Sequence, residues 1–291
     1  MNCRTSIQRA MLSLYCIASM ITTQAAADDP VRVEKDIAYL GADRNEKADL
    51  YLPATNSDGT KRPGIVIIHG GGWVGGDKGA AREQNIGGTL ASHGYVCLSI
   101  NYLLQPKDGP RIWPQNLHDC KTAVRWLRAN ADRLQIDVEH IGVIGGSAGG
   151  HLAAMVGVTG PEAGLDPAGP YGSHSCRVQA VIDLYGPMAD TPNRVVTLVG
   201  KNCEEAPELC RQVTPLSHLD KTDPPVLILH GTADKTVPVR DSEVFADALK
   251  KAGIEHELII IPGAPHTFHL QPKERDLRPV VLDFFNRHLK R

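Results

Sequence analysis

Three polar residues far apart in the chain carry the chemistry this sequence can do: a serine at 147, an aspartate at 234 and a histidine at 266. Ser147 stands in Gly145-Gly146-Ser147-Ala148-Gly149-Gly150, directly after the apolar run Ile141-Gly142-Val143-Ile144 and ahead of a helix-period segment. A Gly-x-Ser-x-Gly stretch between a strand and a helix lets the chain turn sharply enough to hold the hydroxyl out at the strand's end. The helix opening there aims its first amides at the same spot. A hydroxyl attacks at neutral pH only when a base takes its proton, and that base needs a carboxylate to hold its tautomer. The strand-like Leu227-Ile228-Leu229 leads through His230-Gly231-Thr232-Ala233 to Asp234, and residues 257–261 lead through Pro262-Gly263-Ala264-Pro265 to His266. Nucleophile, acid and base thus follow in the order Ser, Asp, His, each just after a predicted core strand.

Attack on a carbonyl also generates a negative oxygen that needs hydrogen-bond donors. His69-Gly70-Gly71-Gly72-Trp73, following the β-branched run at 64–68, offers backbone N–H groups unobstructed by side chains. The amides of Gly71 and Gly72, with that of Ala148, are expected to form the oxyanion hole, and His69 to hold the loop by hydrogen bonds. Trp73 is expected to line a pocket for an acyl or sugar group, while Trp113, before Pro114 and a helix, suits packing equally well. The rivals are weaker. Asp223 precedes its strand and so lies at the wrong end, and Asp241 sits at an N-cap-like position. His269 is an alternative base, but with His266 it has no matching ligand cluster for a metal, so no metal is expected. His151, Asp119 and Tyr102 fit packing or structural roles.

The elements that must position these groups alternate in kind. Residues 31–39 and 47–52 alternate apolar and polar side chains around Gly41-Ala42-Asp43-Arg44-Asn45, as an antiparallel pair at a sheet edge does. Residues 64–68, 95–100, 140–144, 178–184, 226–229 and 257–261 are apolar runs of strands covered on both faces. Helix-period segments at 115–130, 149–158, 241–251 and 273–289 lie between or after them. The expected class is α/β, a mostly parallel central sheet with helices on both faces. Residues 188–219 break the rhythm and are a candidate small lid, or a long surface connection.

The chain as a whole sets limits. Its 291 residues suit one catalytic domain, and 42% hydrophobic with 22% charged residues is the balance of a globular protein. A formal charge of −2 gives nucleic acid or an anionic membrane no electrostatic hold. Arg4 and Arg9 precede an apolar run from Met11 to Ile21 and the small residues Ala25-Ala26-Ala27, the layout of an export signal over 1–27 with the domain following over 28–291. The apolar run is short of the ~20 residues that span a bilayer, so a secreted or periplasmic protein without a stable membrane anchor is expected. Export permits disulfides. Cys97 and Cys120 lie in apolar segments and suit packing, whereas Cys203 and Cys210 flank an acidic loop and are the favoured pair, with Cys176 a rival partner.

These motifs, together with Asp49-Leu50-Tyr51-Leu52-Pro53, resemble the α/β-hydrolase superfamily, and within it the hormone-sensitive-lipase-like and bacterial feruloyl and acetyl-xylan esterase branch. The resemblance runs from about Val31 to the C-terminus. It implies an α/β-hydrolase fold and cofactor-free hydrolysis of carboxylic esters through an acyl-serine, such as acetyl or feruloyl esters of polysaccharide. The long N-terminal helical cap of lipase-like relatives is missing, which favours short acyl groups. The same trio serves small peptides and formamides, the second reading. An inactive binding module of the same fold is the third, and the complete set of catalytic residue types argues against it.

Overall fold

The computed structural model describes residues 31–53, 59–188 and 192–290, so the expected export segment at 1–27 lies outside the described residues. Among them one sheet is formed by β1 (Arg32–Ile37), β2 (Ala48–Leu52), β3 (Arg62–Ile68), β4 (Val96–Ile100), β5 (Ile136–Gly146), β6 (Ala180–Leu184), β7 (Val226–Gly231) and β8 (His256–Ile261). Their spatial order is β1-β2-β4-β3-β5-β6-β7-β8. β2 runs antiparallel to both β1 and β4, and every other neighbouring pair is parallel. The predicted edge hairpin is therefore present, and the apolar runs are the parallel core.

Side-chain alternation along β3 explains why helices cover both sides. Ile65 and Ile67 point to one face and pack with Leu90 of α1 (Ala81–Ser92) and Phe284 and Phe285 of α8 (Arg278–Leu289). Val66 and Ile68 point to the other and join Leu117 and Val124 of α2 (Gln115–Ala129), Leu152 of α4 (Ala148–Val158) and Phe245 of α7 (Val239–Ala252). A strand apolar on both faces stays dry only between two helical layers. The short α3 (Ala131–Leu134) turns the chain from α2 into β5. No helix among the described residues is long and apolar enough to cross a membrane.

Several elements differ from expectation: β5 begins at Ile136 rather than at 140, and α3 is an added turn of helix. Helix α1 has no counterpart in the predicted set, because Gly87 and Gly88 lower the helix propensity of a segment whose Ile86 and Leu90 nonetheless face inward. α8 begins at Arg278 rather than 273: Pro279 suits a first helical turn, and the preceding residues make a turn closed by the Leu277 N–H on the Leu270 carbonyl at 2.7 Å.

The lid candidate, where described, holds α5 (Pro192–Val199) and α6 (Pro207–Val213), with Cys203 bonded to Cys210 across a Cα separation of 5.4 Å. Leu198, Cys210 and Val213 are buried in the same layer as α4. Gln212 accepts a hydrogen bond from the Trp113 indole at 2.9 Å, and the Val213 carbonyl accepts one from His151 Nε2 at 2.7 Å. The segment is thus docked onto the helical layer behind the nucleophile's helix. Cys97, Cys120 and Cys176 are buried free thiols.

Candidate active site

Strand β5 ends at Gly146 and α4 begins at Ala148, which leaves one residue, Ser147, to make the turn. Its backbone lies at φ 56° and ψ −123°. A non-glycine residue there costs about 1–3 kcal/mol and persists only when its surroundings fix it. They do so here: the Ser147 N–H donates to the Leu184 carbonyl of β6 at 2.8 Å, and its own carbonyl accepts the first bond of α4 from His151 at 3.1 Å. Gly149 lets α4 sit this close to the sheet, since a Cβ on it would stand 2.2 Å from the Ile68 carbonyl oxygen. Sharp turn and close helix together push the Ser147 hydroxyl outward.

The loops after β7 and β8 bring the other two groups to it. They are stitched together by the Thr232 N–H on the Ile261 carbonyl at 3.1 Å, the Ala233 N–H on the Ala264 carbonyl at 3.0 Å and the Gly263 N–H on Thr232 Oγ1 at 2.9 Å. His266 Nε2 lies 3.0 Å from Ser147 Oγ, and His266 Nδ1 lies 2.6 Å from Asp234 Oδ2. A carboxylate can only accept, so Nδ1 carries the proton and Nε2 is free to accept from the serine. Asp234 Oδ1 accepts the N–H groups of Thr236 and Val237, each at 2.8 Å. Burial alone would raise the Asp234 carboxyl, but the bonds from His266, Val237 and Thr236 outweigh it and hold the group below its ordinary range. It stays an anion at neutral pH, as a partner for an imidazole that gains a proton must.

The predicted rivals are engaged with other partners. His269 also lines the cleft, but its Nδ1 accepts the Gln271 N–H at 2.9 Å. Asp241 is the third residue of α7, whose N-cap is Pro238, so it does not open the helix. His151 is buried against Val213 and edge-on to Trp73. Asp119 is buried under Arg44, with both oxygens bonded to its guanidinium at 2.7 and 3.1 Å.

The cleft in front of Ser147 has a volume of about 540 Å³. Gly71 and Gly72 line it beside Ser147 and His266. Gly71 has φ +113°, and a Cβ there would fall 2.2 Å from the Gly75 carbonyl oxygen, so only glycine fits this turn. His69 braces the loop: its Nδ1 donates to the Gly70 carbonyl at 2.7 Å, and its ring stacks on Tyr102 at 4.4 Å. Burial pushes the His69 imidazole down to about 4, so it is neutral. Ala148 is the first residue of α4, where amides have no intrahelical acceptor. Trp73 corrects the sequence expectation. At 5% exposure it is packed into the core beside His151, at φ 63°, and is not part of the cleft wall. A large apolar ring after the glycine loop is worth more buried than facing water.

A wall element and a buried tyrosine behind it escape sequence reasoning. The first turn of α1 contributes Ala81, Arg82 and Glu83 to the cleft. Arg82 donates to Glu83 and, at 3.0 Å, to the Tyr185 hydroxyl, which in turn donates to the Phe268 carbonyl at 2.7 Å. Tyr185 also meets His266 edge to face with centroids 4.8 Å apart. The available signal was a tyrosine directly after the predicted strand at 178–184, on the same sheet end as Ser147.

The BD-FAE family profile matches residues 48–249. Esterase LipC of Mycobacterium tuberculosis is 33% identical over 220 residues, covering 72% of this chain and 53% of LipC. The chain spans 53–61% of the length of the curated mycobacterial esterases it matches. Among solved structures, a truncated carbohydrate esterase from gut microbiota superposes with a TM-score of 0.80 at 29% identity, covering 91% of this chain and 99% of that one. An esterase of Thermogutta terrifontis with butyrate bound gives 0.72 at 28% identity, covering 88% and 93%.

Proposed function

Because the chain belongs to the BD-FAE family of α/β-hydrolases, we propose that it is a serine carboxylesterase acting on short-acyl esters of polar alcohols, such as acetyl or feruloyl groups carried by polysaccharide. The observation that carries this reading is the continuous hydrogen-bond line from Ser147 through His266 to Asp234 at the mouth of the cleft. Ser147 Oγ attacks the ester carbonyl while His266 Nε2 takes its proton, and Asp234 stabilises the imidazolium that results. The negative oxygen formed is received by the amides of Gly71, Gly72 and Ala148. Collapse of that intermediate breaks the ester C–O bond, and His266 returns the proton to the leaving alcohol. Water, deprotonated by the same imidazole, then releases the acid and restores Ser147.

The cleft wall supports the substrate class. Among the described residues no aliphatic side chain larger than alanine lines it, while Asp77, Arg82, Glu83, Thr236 and Thr267 give it polar groups. A long acyl chain finds no row of large aliphatic side chains to lie along, whereas an acetyl group and a sugar hydroxyl both find partners. A carbohydrate esterase and a butyrate-bound esterase among the structural neighbours accord with it. Export through a signal at 1–27, to the periplasm or the medium, completes the proposal, since polymeric esters are met outside the cytoplasm.

The test is a substrate series of p-nitrophenyl acetate, butyrate and octanoate, acetylated xylan, a methyl ferulate, N-formylkynurenine and short peptides. Activity that peaks at two to four acyl carbons and disappears in Ser147→Ala supports the reading. Faster amide than ester turnover would overturn it. Fractionation of the host, with sequencing of the mature N-terminus, tests export.

A further inference from the structure

We propose that His230 is a positioning residue for this site: it shares Oδ2 of Asp234 with His266, and so fixes the carboxylate and moderates its pull on the catalytic imidazole. The inference rests on the reading of Ser147, His266 and Asp234 as the reacting trio. His230 is the penultimate residue of β7, with its side chain fully buried. Its Nε2 lies 3.2 Å from Asp234 Oδ2 and 3.0 Å from the Val237 carbonyl, and its Nδ1 lies 2.7 Å from Ser242 Oγ on α7. Two acceptors face Nε2, so that nitrogen carries the proton, and Nδ1 accepts from the serine hydroxyl. Burial holds the ring below its ordinary range, which keeps it neutral beside Asp234 and His266.

The consequence lies at one oxygen. Asp234 Oδ2 receives an N–H from His266 at 2.6 Å, and the Nε2–H of His230, which donates to the Val237 carbonyl at 3.0 Å, lies 3.2 Å from the same oxygen. A neutral donor on a carboxylate spreads its charge and leaves less of it to stabilise an imidazolium. His230 also ties Asp234 to α7 through Ser242, so the acid cannot swing on its loop. The other buried carboxyls on the packed elements are Asp241, one residue before Ser242, and Asp183 on β6, in register with Ile228 of β7. Neither is hydrogen-bonded to His230.

The experiment measures kcat and KM for p-nitrophenyl acetate against pH in the wild type, His230→Leu and His230→Gln, with circular dichroism and phosphonate titration of Ser147 as controls. In His230→Leu, kcat falls about tenfold with KM little changed, the scale of one lost hydrogen bond. The acid limb of kcat/KM moves up by about half a unit or more as Oδ2 serves His266 alone. Glutamine can bring an amide N–H to the place of Nε2, and it returns the limb toward the wild type. A folded His230→Leu protein with the wild-type limb and kcat overturns the proposal. So does a glutamine variant that leaves the leucine profile unchanged. Should the leucine variant not fold, Ser242→Ala, which releases the tautomer, must move the limb the same way by less, and an unmoved limb overturns the proposal. Failure of the wild type to turn over any ester or to take up phosphonate would instead sink the catalytic reading itself.

Discussion

The ring of Tyr185 stands edge-on to the imidazole of His266 at 4.8 Å, while its hydroxyl donates to the carbonyl of Phe268 two residues further along the same loop. One side chain therefore holds the base both by its ring and by its backbone. Tyr185 is fully buried, and burial pushes its phenol up to about 12, so the hydroxyl keeps its proton as a donor. Tyr185→Phe keeps the ring but loses the bond to Phe268 and leaves one N–H of Arg82 without its acceptor. We expect a stability loss of about 1–3 kcal/mol, the cost of stranding buried polar groups. kcat should fall more than KM rises, because the base loses alignment rather than contact with substrate. Urea titration and steady-state kinetics on p-nitrophenyl acetate check both halves, and an unchanged kcat would show that the ring alone suffices.

Reduction of the Cys203–Cys210 bridge should leave catalysis intact. The bond closes a loop with a sequence separation of 7. For so short a loop the chain-entropy account gives about 2.5 kcal/mol. Cys203→Ser/Cys210→Ser is expected to lower the unfolding temperature and to raise hydrogen exchange in α5 and α6. No described residue of this segment lines the cleft, so kcat/KM for a small ester should change less than twofold. A large activity loss in the folded variant would mean that α5 and α6 move as a lid.

How much of this was legible follows the range of the interactions. Ser147, Asp234 and His266 are each announced by a local pattern, an apolar run followed by a turn, and the parallel sheet brings the ends of such runs to one edge. The cleft wall has no such pattern. Arg82 reaches it because α1 packs its first turn against the glycine loop, and Gly87 and Gly88 hide that helix in the sequence. Trp73 misleads for the opposite reason: its place after three glycines suggests exposure, but the positive φ of Gly71, Gly72 and Trp73 turns the chain back and buries the ring beside His151. In the sequence His230 is only one of the residues leading from a strand to Asp234, and only the fold of β7 against α7 brings its Nε2 beside that carboxylate.

Gly71→Ala tests the expected oxyanion donors without touching the trio. The added methyl group would meet the Gly75 carbonyl at 2.2 Å in a conformation that alanine rarely adopts, so the loop must shift. Loss of one oxyanion donor costs about 10²–10³ in kcat. We expect a fall of that order with a smaller change in KM. Phosphonate labelling of Ser147 should slow in parallel, since its adduct carries an oxygen in the same place. Normal labelling with a large kcat loss would place the donors elsewhere.

A buried acid beneath the nucleophile's helix should make stability fall as pH rises. Asp183 on β6 is fully buried: Oδ1 accepts the Gly186 N–H at 2.9 Å, and Oδ2 has no hydrogen-bond partner among the described residues. Burial, with a further push from Asp241, raises the carboxyl to about 8, against a little under 4 in an unfolded chain. The native protein thus holds this proton where the unfolded chain has released it, and the slope of unfolding free energy with pH is negative between those two values. The contribution is fully present below the unfolded value and is lost as pH rises through about 8. Asp183→Asn cannot ionise, so its stability relative to wild type should improve steadily from pH 5 to pH 8. Denaturant titrations at three or four pH values in that window measure the difference, and parallel curves for the two proteins would mean that Asp183 is ionised in the fold.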